Sequence, residues 1–208
     1  MNATASMALK LIPKSLETQP VFLCIDDTIV PKYGKKFEDV SKLFDHSAHN
    51  GSGCLNGHCF VSVMLCVPMW DKGRIVYQAF PLSCRMWQKE ESKLKLAASM
   101  VRQAMPELQE KANVIILCDS WYTKGDLVSV VDEYPNPGLI GNAGYDSVLY
   151  DLAPQPTGKR GRPSKHGKRL SAEKDFTLSD EKIGGYYIGM RRVLTNIFGT
   201  REVFAYVT

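Results

Sequence analysis

The sequence has few of the features that mark an exported or membrane-bound protein. No apolar run approaches the roughly 20 residues needed to cross a bilayer, and residues 1–14 lack the charged start and long apolar stretch of an export signal. The six cysteines form no CxxC pair and lie mostly within apolar segments, which indicates buried thiols in a reducing compartment rather than a disulfide framework. We therefore expect a cytoplasmic protein with no membrane partner.

A strong excess of one charge is also missing, since 26 basic residues face 22 acidic ones and the formal net charge is only +4. The basic residues are nevertheless concentrated in one segment, which begins with PQPTG at residue 154 and contains no acidic residue up to residue 169. Such a tract predicts contact with the phosphate backbone of nucleic acid, although a solvated flexible loop is the alternative. Its basic residues are Lys159, Arg160, Arg162, Lys165, Lys168 and Arg169.

The hydrophobic pattern predicts a mixed α/β protein with a substantial core, because 44% of the 208 residues are apolar. Short apolar runs predict strands at residues 21–25, 59–67, 74–80, 114–118, 138–141, 186–194 and 202–207. Helical spacing predicts helices at residues 90–105 and 123–131, and Pro106 either ends the apolar face of the first or begins the next turn. Residues 31–57 are polar and glycine-rich, and we expect a long loop there.

Two of the apolar runs are followed at once by aspartate. Asp26 and Asp27 follow the first strand, and Asp119 follows the strand at residues 114–118. Either position alone is typical of a helix N-cap or a turn. If the two strands are neighbours in one sheet, however, Asp26 and Asp119 emerge side by side. Carboxylate oxygens are the ligands that Mg²⁺ prefers, and paired ions promote phosphodiester displacement, so the pattern predicts a magnesium site.

A cluster of histidine and cysteine offers a second metal hypothesis, a zinc site. Its spacings match no standard zinc finger, and Cys59 falls in a predicted strand, so we prefer hydrogen bonding within the loop. The residues concerned are His46, His49, Cys54, His58 and Cys59.

Several motifs occur in an order that resembles a known family. They are CIDDT at 24–28, LFDHSAHNGS at 43–52, NGH at 56–58, LCDSWY at 117–122 and GKRGRP at 158–163. Together they resemble the catalytic domain of bacterial insertion-sequence transposases of the DDE type, over roughly residues 20–207. The resemblance implies an RNase H-like mixed sheet flanked by helices, with a C-terminal strand-rich insertion.

The resemblance also implies a division of the chain and a set of site residues. We expect a lead-in segment (1–19), a catalytic core (20–153), a basic flexible linker (154–175) and a strand-rich segment (176–208). Asp26 matches the first catalytic acid, with Asp27 as its rival, and Asp119 matches the second; all three are candidate ligands for Mg²⁺ or Mn²⁺. The third acid, a glutamate, is expected on a helix beyond Thr208, because Glu173, Glu181 and Glu202 lie in loop-like or strand-like surroundings.

The implied function is metal-dependent cleavage of transposon DNA ends and strand transfer into target DNA. The basic tract would bind DNA, and the full-length enzyme would act at the bacterial nucleoid, with a homodimer as a candidate assembly. Two alternatives stay open. One is an inactive transposase remnant that binds DNA or has no activity, and the other is a related nuclease, because a fold does not fix a reaction.

Overall fold

The structure is a computed structural model that describes residues 1–34, 36–44, 53–135, 137–143, 147–155, 162–196 and 198–208. The chain forms two compact units, Met1–Asn142 and Ala143–Thr208. Within the described part of the chain, no helix is both long and apolar enough to cross a membrane.

The first unit is built on a mixed six-stranded sheet in the order β2-β3-β1-β5-β6, with β4 paired to β3. All pairings among β1, β2, β3 and β4 are antiparallel. The strand β5 pairs in parallel with β1 on one side and with β6 on the other. An antiparallel hairpin beside a parallel pair is the RNase H-like arrangement. The predicted RNase H-like mixed sheet is therefore confirmed. The strands are β1 (Val21–Pro31), β2 (Ser41–Phe44), β3 (Cys54–Asp71), β4 (Arg74–Met86), β5 (Val114–Cys118) and β6 (Gly138–Gly141).

Three helices pack against this sheet: α1 (Asn2–Lys10), α2 (Lys93–Gln109) and α3 (Gly125–Asp132). In α2 the buried side chains recur every three or four residues, so a continuous apolar stripe faces the core. Ser92 caps the start of this helix by accepting a hydrogen bond from the N–H of Leu94 at 3.2 Å. In β1 and β3 every second side chain is buried in the same core, as the alternation of a strand requires.

Several predicted boundaries were wrong. The strand β1 does not stop at the aspartates but continues to Pro31, because the long partner β3 pairs with it from Phe22 to Pro31. The predicted loop at 31–57 contains β2 and the start of β3. Pro106 lies inside α2 instead of ending its apolar face. The lead-in segment contains α1, whose Ala5 and Ala8 are buried in the core of the first unit.

The second unit is a small four-stranded sheet in the order β10-β9-β7-β8. Its strands are β7 (Leu149–Tyr150), β8 (Arg169–Leu170), β9 (Tyr187–Thr195) and β10 (Gly199–Val207), and α4 (Ala172–Asp175) follows β8. The strands predicted at residues 186–194 and 202–207 are confirmed as β9 and β10, which pair as an antiparallel hairpin. The unit begins before the expected linker, since β7 pairs with both β8 and β9, and that linker contains β8 and α4. Glu173 therefore lies in a short helix, contrary to expectation.

Candidate active site

The two strands that carry the predicted acids are neighbours in the sheet. The parallel register of β1 and β5 runs from Val21 opposite Val114 to Ile25 opposite Cys118. Asp26 and Asp119 each come one position after this last pair, and neighbouring strands are about 4.8 Å apart. The structure therefore brings the two aspartates together at one end of the parallel pairing, despite the 119 − 26 = 93 positions that separate them.

Both aspartates are exposed, and each uses one carboxylate oxygen locally. Asp26 Oδ1 accepts from the N–H of Asp27 at 2.8 Å, and the Asp26 carbonyl accepts from Ser62 Oγ at 3.2 Å. Asp119 Oδ1 accepts from the backbone N–H groups of Trp121 and Tyr122 at 3.0 and 3.1 Å. Among the described residues, no ion pair engages either carboxylate and no hydrogen bond engages either Oδ2. These oxygens fit two ligands of a hard divalent cation.

Asp27 is in a different environment although it directly follows Asp26. It is on the side of β1 that carries Leu23 and Ile25, facing the core. Its Oδ2 accepts from Lys93 Nζ at 2.7 Å and from Cys59 Sγ at 3.1 Å, and its Oδ1 accepts from the phenolic O–H of Tyr122 at 3.1 Å. The ion pair with Lys93 is largely shielded, because the two side chains are only 20% and 18% exposed. Asp27 is thus already neutralised by the protein.

The pKa shifts in this cluster follow from burial and from these contacts. Burial alone would raise the pKa of Asp27, but the hydrogen bonds from Lys93, Cys59 and Tyr122 and the charge of Lys93 outweigh it, and the pKa is lowered. Burial likewise opposes the charged form of Lys93, yet Asp27 raises its pKa. Burial and the charge of Asp27 together raise the pKa of Tyr122, which keeps the phenol protonated. Both ions of the pair are therefore charged at neutral pH.

Two tryptophans and a second lysine lie around the same cluster. The Nζ atom of Lys93 is 5.6 Å from the ring centroid of Trp87 and 5.5 Å from that of Trp121, and Lys124 Nζ is 4.9 Å from Trp121. Cations over aromatic faces are attracted by the ring quadrupole. Tyr122 is fully buried in the core of the first unit, whereas Trp121 remains half-exposed.

The loop after β5 is held in a fixed shape next to β6. Thr123 Oγ1 donates to the carbonyl of Asp119 at 2.8 Å and lies 3.6 Å from Cys118 Sγ. Gly141 in β6 approaches this loop so closely that a Cβ atom there would lie 2.3 Å from Thr123 Oγ1. Glycine is therefore required at this position if the loop carrying Asp119 is to keep its conformation.

The predicted DNA-binding tract is only partly described by the structure. Lys159 and Arg160 lie outside the described residues, whereas Arg162, Lys165, Lys168 and Arg169 are all exposed in the second unit. Lys168 Nζ pairs with Asp175 Oδ1 at 2.5 Å, and Arg169 belongs to β8. Arg162 and Lys165 lie in the stretch between β7 and β8, outside regular secondary structure.

The zinc hypothesis gains no support from the described residues. His46 and His49 lie outside them, and within them no group of three or more histidine, cysteine, aspartate or glutamate side chains is arranged to hold a metal. His58 Nε2 is hydrogen-bonded to the carbonyl of Glu38 at 2.8 Å, and Cys59 donates to Asp27.

Sequence reasoning missed two contributors to this site, Lys93 and the hydroxyl of Tyr122. Lys93 lies outside the apolar face of the helix predicted at residues 90–105, so the hydrophobic pattern gives it no role. A signal was available, because a lysine directly after the N-cap faces the positive end of the helix dipole, which is unfavourable without a nearby anion. No comparable signal in the sequence indicates which group the Tyr122 hydroxyl contacts.

Comparison with known proteins identifies the family. A model of the DDE superfamily endonucleases matches residues 3–186, most of the chain. The chain therefore belongs to the DDE superfamily endonucleases. A search of curated proteins gave no match. Among solved structures, the chain is similar to a chain in the crystal structure of the Mos1 strand transfer complex, with 16% identity and a TM-score of 0.30; the alignment covers 70% of this chain and 41% of the Mos1 chain.

Proposed function

We propose that this chain carries the catalytic core of a DNA transposase that cleaves transposon ends and transfers them into target DNA. The observation that carries the proposal is the position of Asp26 and Asp119, which lie side by side directly after the last residue pair of β1 and β5. Among the described residues, neither carboxylate has a cationic partner. Two neighbouring carboxylates repel each other, and a bound divalent cation would relieve that repulsion. Family membership makes phosphodiester cleavage the reaction that fits.

In this proposal Asp26 and Asp119 would hold Mg²⁺ or Mn²⁺ through their free oxygens. A bound divalent ion supplies activation of the attacking oxygen and stabilisation of the leaving one. Water would first break a phosphodiester bond at the transposon end and leave a 3′-hydroxyl. That hydroxyl would then attack a target phosphodiester, so that one bond forms as another breaks and the target strand gives up its own 3′-oxygen.

The test is nicking of a supercoiled plasmid by the 208-residue chain in the presence of Mn²⁺. Asp26→Asn and Asp119→Asn should each abolish nicking while the circular dichroism spectrum stays unchanged. Asp71→Asn is the matched control, because Asp71 is an exposed aspartate at the turn between β3 and β4. Nicking that persists in either site variant would refute the assignment. A folded wild-type chain that does not nick would favour the inactive remnant.

Asp27 is the less suitable metal ligand in this proposal. Its two oxygens already accept three hydrogen bonds, and Lys93 neutralises its charge. A cation at Asp27 would have to displace the ammonium group from a largely shielded pair. Asp26 has no such competitor among the described residues, so we assign the first ligand to Asp26.

The basic tract is the proposed DNA contact of the second unit. Arg162 and Lys165 are exposed and follow the proline- and glycine-rich stretch, so their charges are available to phosphates. Because phosphate contacts act through counterion release, this contribution would be independent of DNA sequence and weakened by salt.

A further inference from the structure

We infer that Tyr122 is a positioning residue that fixes Asp26 in the middle of β1 and Asp119 at the end of β5 relative to each other; the inference rests on the proposed function. The backbone N–H of Tyr122 donates to Asp119 Oδ1 at 3.1 Å, and its phenolic O–H donates to Asp27 Oδ1 at 3.1 Å. Since Asp27 directly follows Asp26 in β1, Tyr122 links the middle of β1 to the loop that carries Asp119 after β5.

The ring of Tyr122 is enclosed on all sides, which restrains the link. It is fully buried in the core of the first unit, and it packs edge-on against Trp121 with ring centroids 5.0 Å apart. A phenylalanine would fill the same space, so packing alone does not require the hydroxyl. The hydroxyl instead completes a hydrogen bond between the loop after β5 and the middle of β1, and such supporting bonds hold metal ligands in place.

Lys93 makes Asp27 an anchor for this link instead of a competing ligand. Its ammonium group reaches Asp27 from the first turn of α2, so a third element holds the carboxylate in place. Without this cation, three negative carboxylates would lie near one another where the pairing of β1 and β5 ends. Their repulsion would oppose the alignment of Asp26 and Asp119. The charge left for an incoming cation is therefore that of Asp26 and Asp119.

The first test is a calorimetric titration of the whole 208-residue chain with Mn²⁺ alone. Tyr122→Phe should weaken Mn²⁺ binding about tenfold, the size typical of a lost supporting bond, with an unchanged circular dichroism spectrum. Tyr134→Phe is the control, because Tyr134 packs against the same core after α3. Wild-type affinity in Tyr122→Phe would overturn the inference.

A second variant covers the case in which Tyr122→Phe does not fold. Asp27→Asn keeps an oxygen that accepts from the phenol but loses the ion pair, so it should weaken Mn²⁺ binding less than Asp26→Asn does. A loss as complete as that of Asp26→Asn would make Asp27 a direct ligand and overturn the inference.

Amide hydrogen exchange without metal separates this inference from the proposed function. The N–H groups of Trp121 and Tyr122 are held by Asp119, and both should exchange faster in Tyr122→Phe than in Tyr134→Phe. Unchanged exchange at both amides would refute the positioning role whatever the chain does with Mn²⁺. If Asp26→Asn and Asp119→Asn leave Mn²⁺ affinity at the wild-type value, the proposed metal site fails, and the exchange result still decides the role of Tyr122.

Discussion

Replacing Lys93 by methionine should destabilise the first unit by about 2 kcal/mol, because Asp27 would lose its counterion in a shielded position. Hydrogen bonds to charged groups contribute about 1.5–3 kcal/mol, and breaking a fully buried pair costs about 3–5 kcal/mol. The side chains of Lys93 and Asp27 are 18% and 20% exposed, so some solvent screening remains and the lower range applies. Urea unfolding followed by tryptophan fluorescence at pH 7 measures the change.

Two further variants show whether the ion pair is the cause. Lys111→Met is the matched control, because Lys111 pairs with Glu107 one turn away on the surface of the first unit. Because water screens this surface pair, Lys111→Met should change stability much less than Lys93→Met does. In the double variant Lys93→Met with Asp27→Asn, at least half of the lost stability should return, because removing both partners leaves no uncompensated charge.

The pH dependence has a definite sign. The pKa of Asp27 is lowered in the folded state. Its contribution to the free energy of unfolding is therefore present above the unfolded pKa of about 3.9. This contribution is lost as the pH falls through the folded pKa. The pKa of Lys93 is raised, so its contribution is present below about 10.4 and is lost as the pH rises through the folded value. The difference in free energy of unfolding between wild type and Lys93→Met should therefore be constant from about pH 5 to about pH 9 and become smaller in acid. A difference that is equally large near pH 3, or absent at pH 7, would refute this account.

Two other predictions concern β6 and the basic tract. Gly141→Ala should cost about 1–3 kcal/mol by calorimetry, because the new Cβ would meet Thr123 Oγ1 at 2.3 Å, whereas at Gly138 the nearest atom is 3.4 Å away and alanine should be tolerated much better. Equal costs at the two glycines would contradict this. If the tract binds DNA, Arg162→Ala and Lys165→Ala should each reduce the slope of log affinity against log salt by about 0.9; unchanged slopes in a filter-binding assay would exclude both contacts.

The sequence predicted best those elements whose limits are set locally. The strands β5 and β6 were predicted at the residues where the structure has them, because each is a short apolar run bounded by turn-forming or polar residues. The end of β1 was missed for the opposite reason. Asp26 and Asp27 disfavour a strand and hide the β-branched run that follows at residues 28–30. It is the pairing with the long strand β3 that carries β1 through them to Pro31.

The same distinction applies to the site. The adjacency of Asp26 and Asp119 was predictable because both follow apolar runs. The only further assumption was that the two strands are neighbours in one sheet. Lys93 and the Tyr122 hydroxyl were not predictable, because their roles depend on how α2 and the loop after β5 pack over the sheet. A tertiary contact between residues 95 positions apart has no local signature.

The choice between Asp26 and Asp27 depends on strand alternation. The residues before them are apolar at every position, so the sequence does not reveal which side chains face the helices. In the structure Leu23 and Ile25 are buried while Phe22 and Cys24 are half-buried, which assigns Asp27 to the helix-covered face and Asp26 to the other. A carboxylate under the helices needs a permanent counterion, and Lys93 supplies it. The carboxylate on the opposite face has none among the described residues, so the two neighbours have different chemistry because β1 runs straight through both of them.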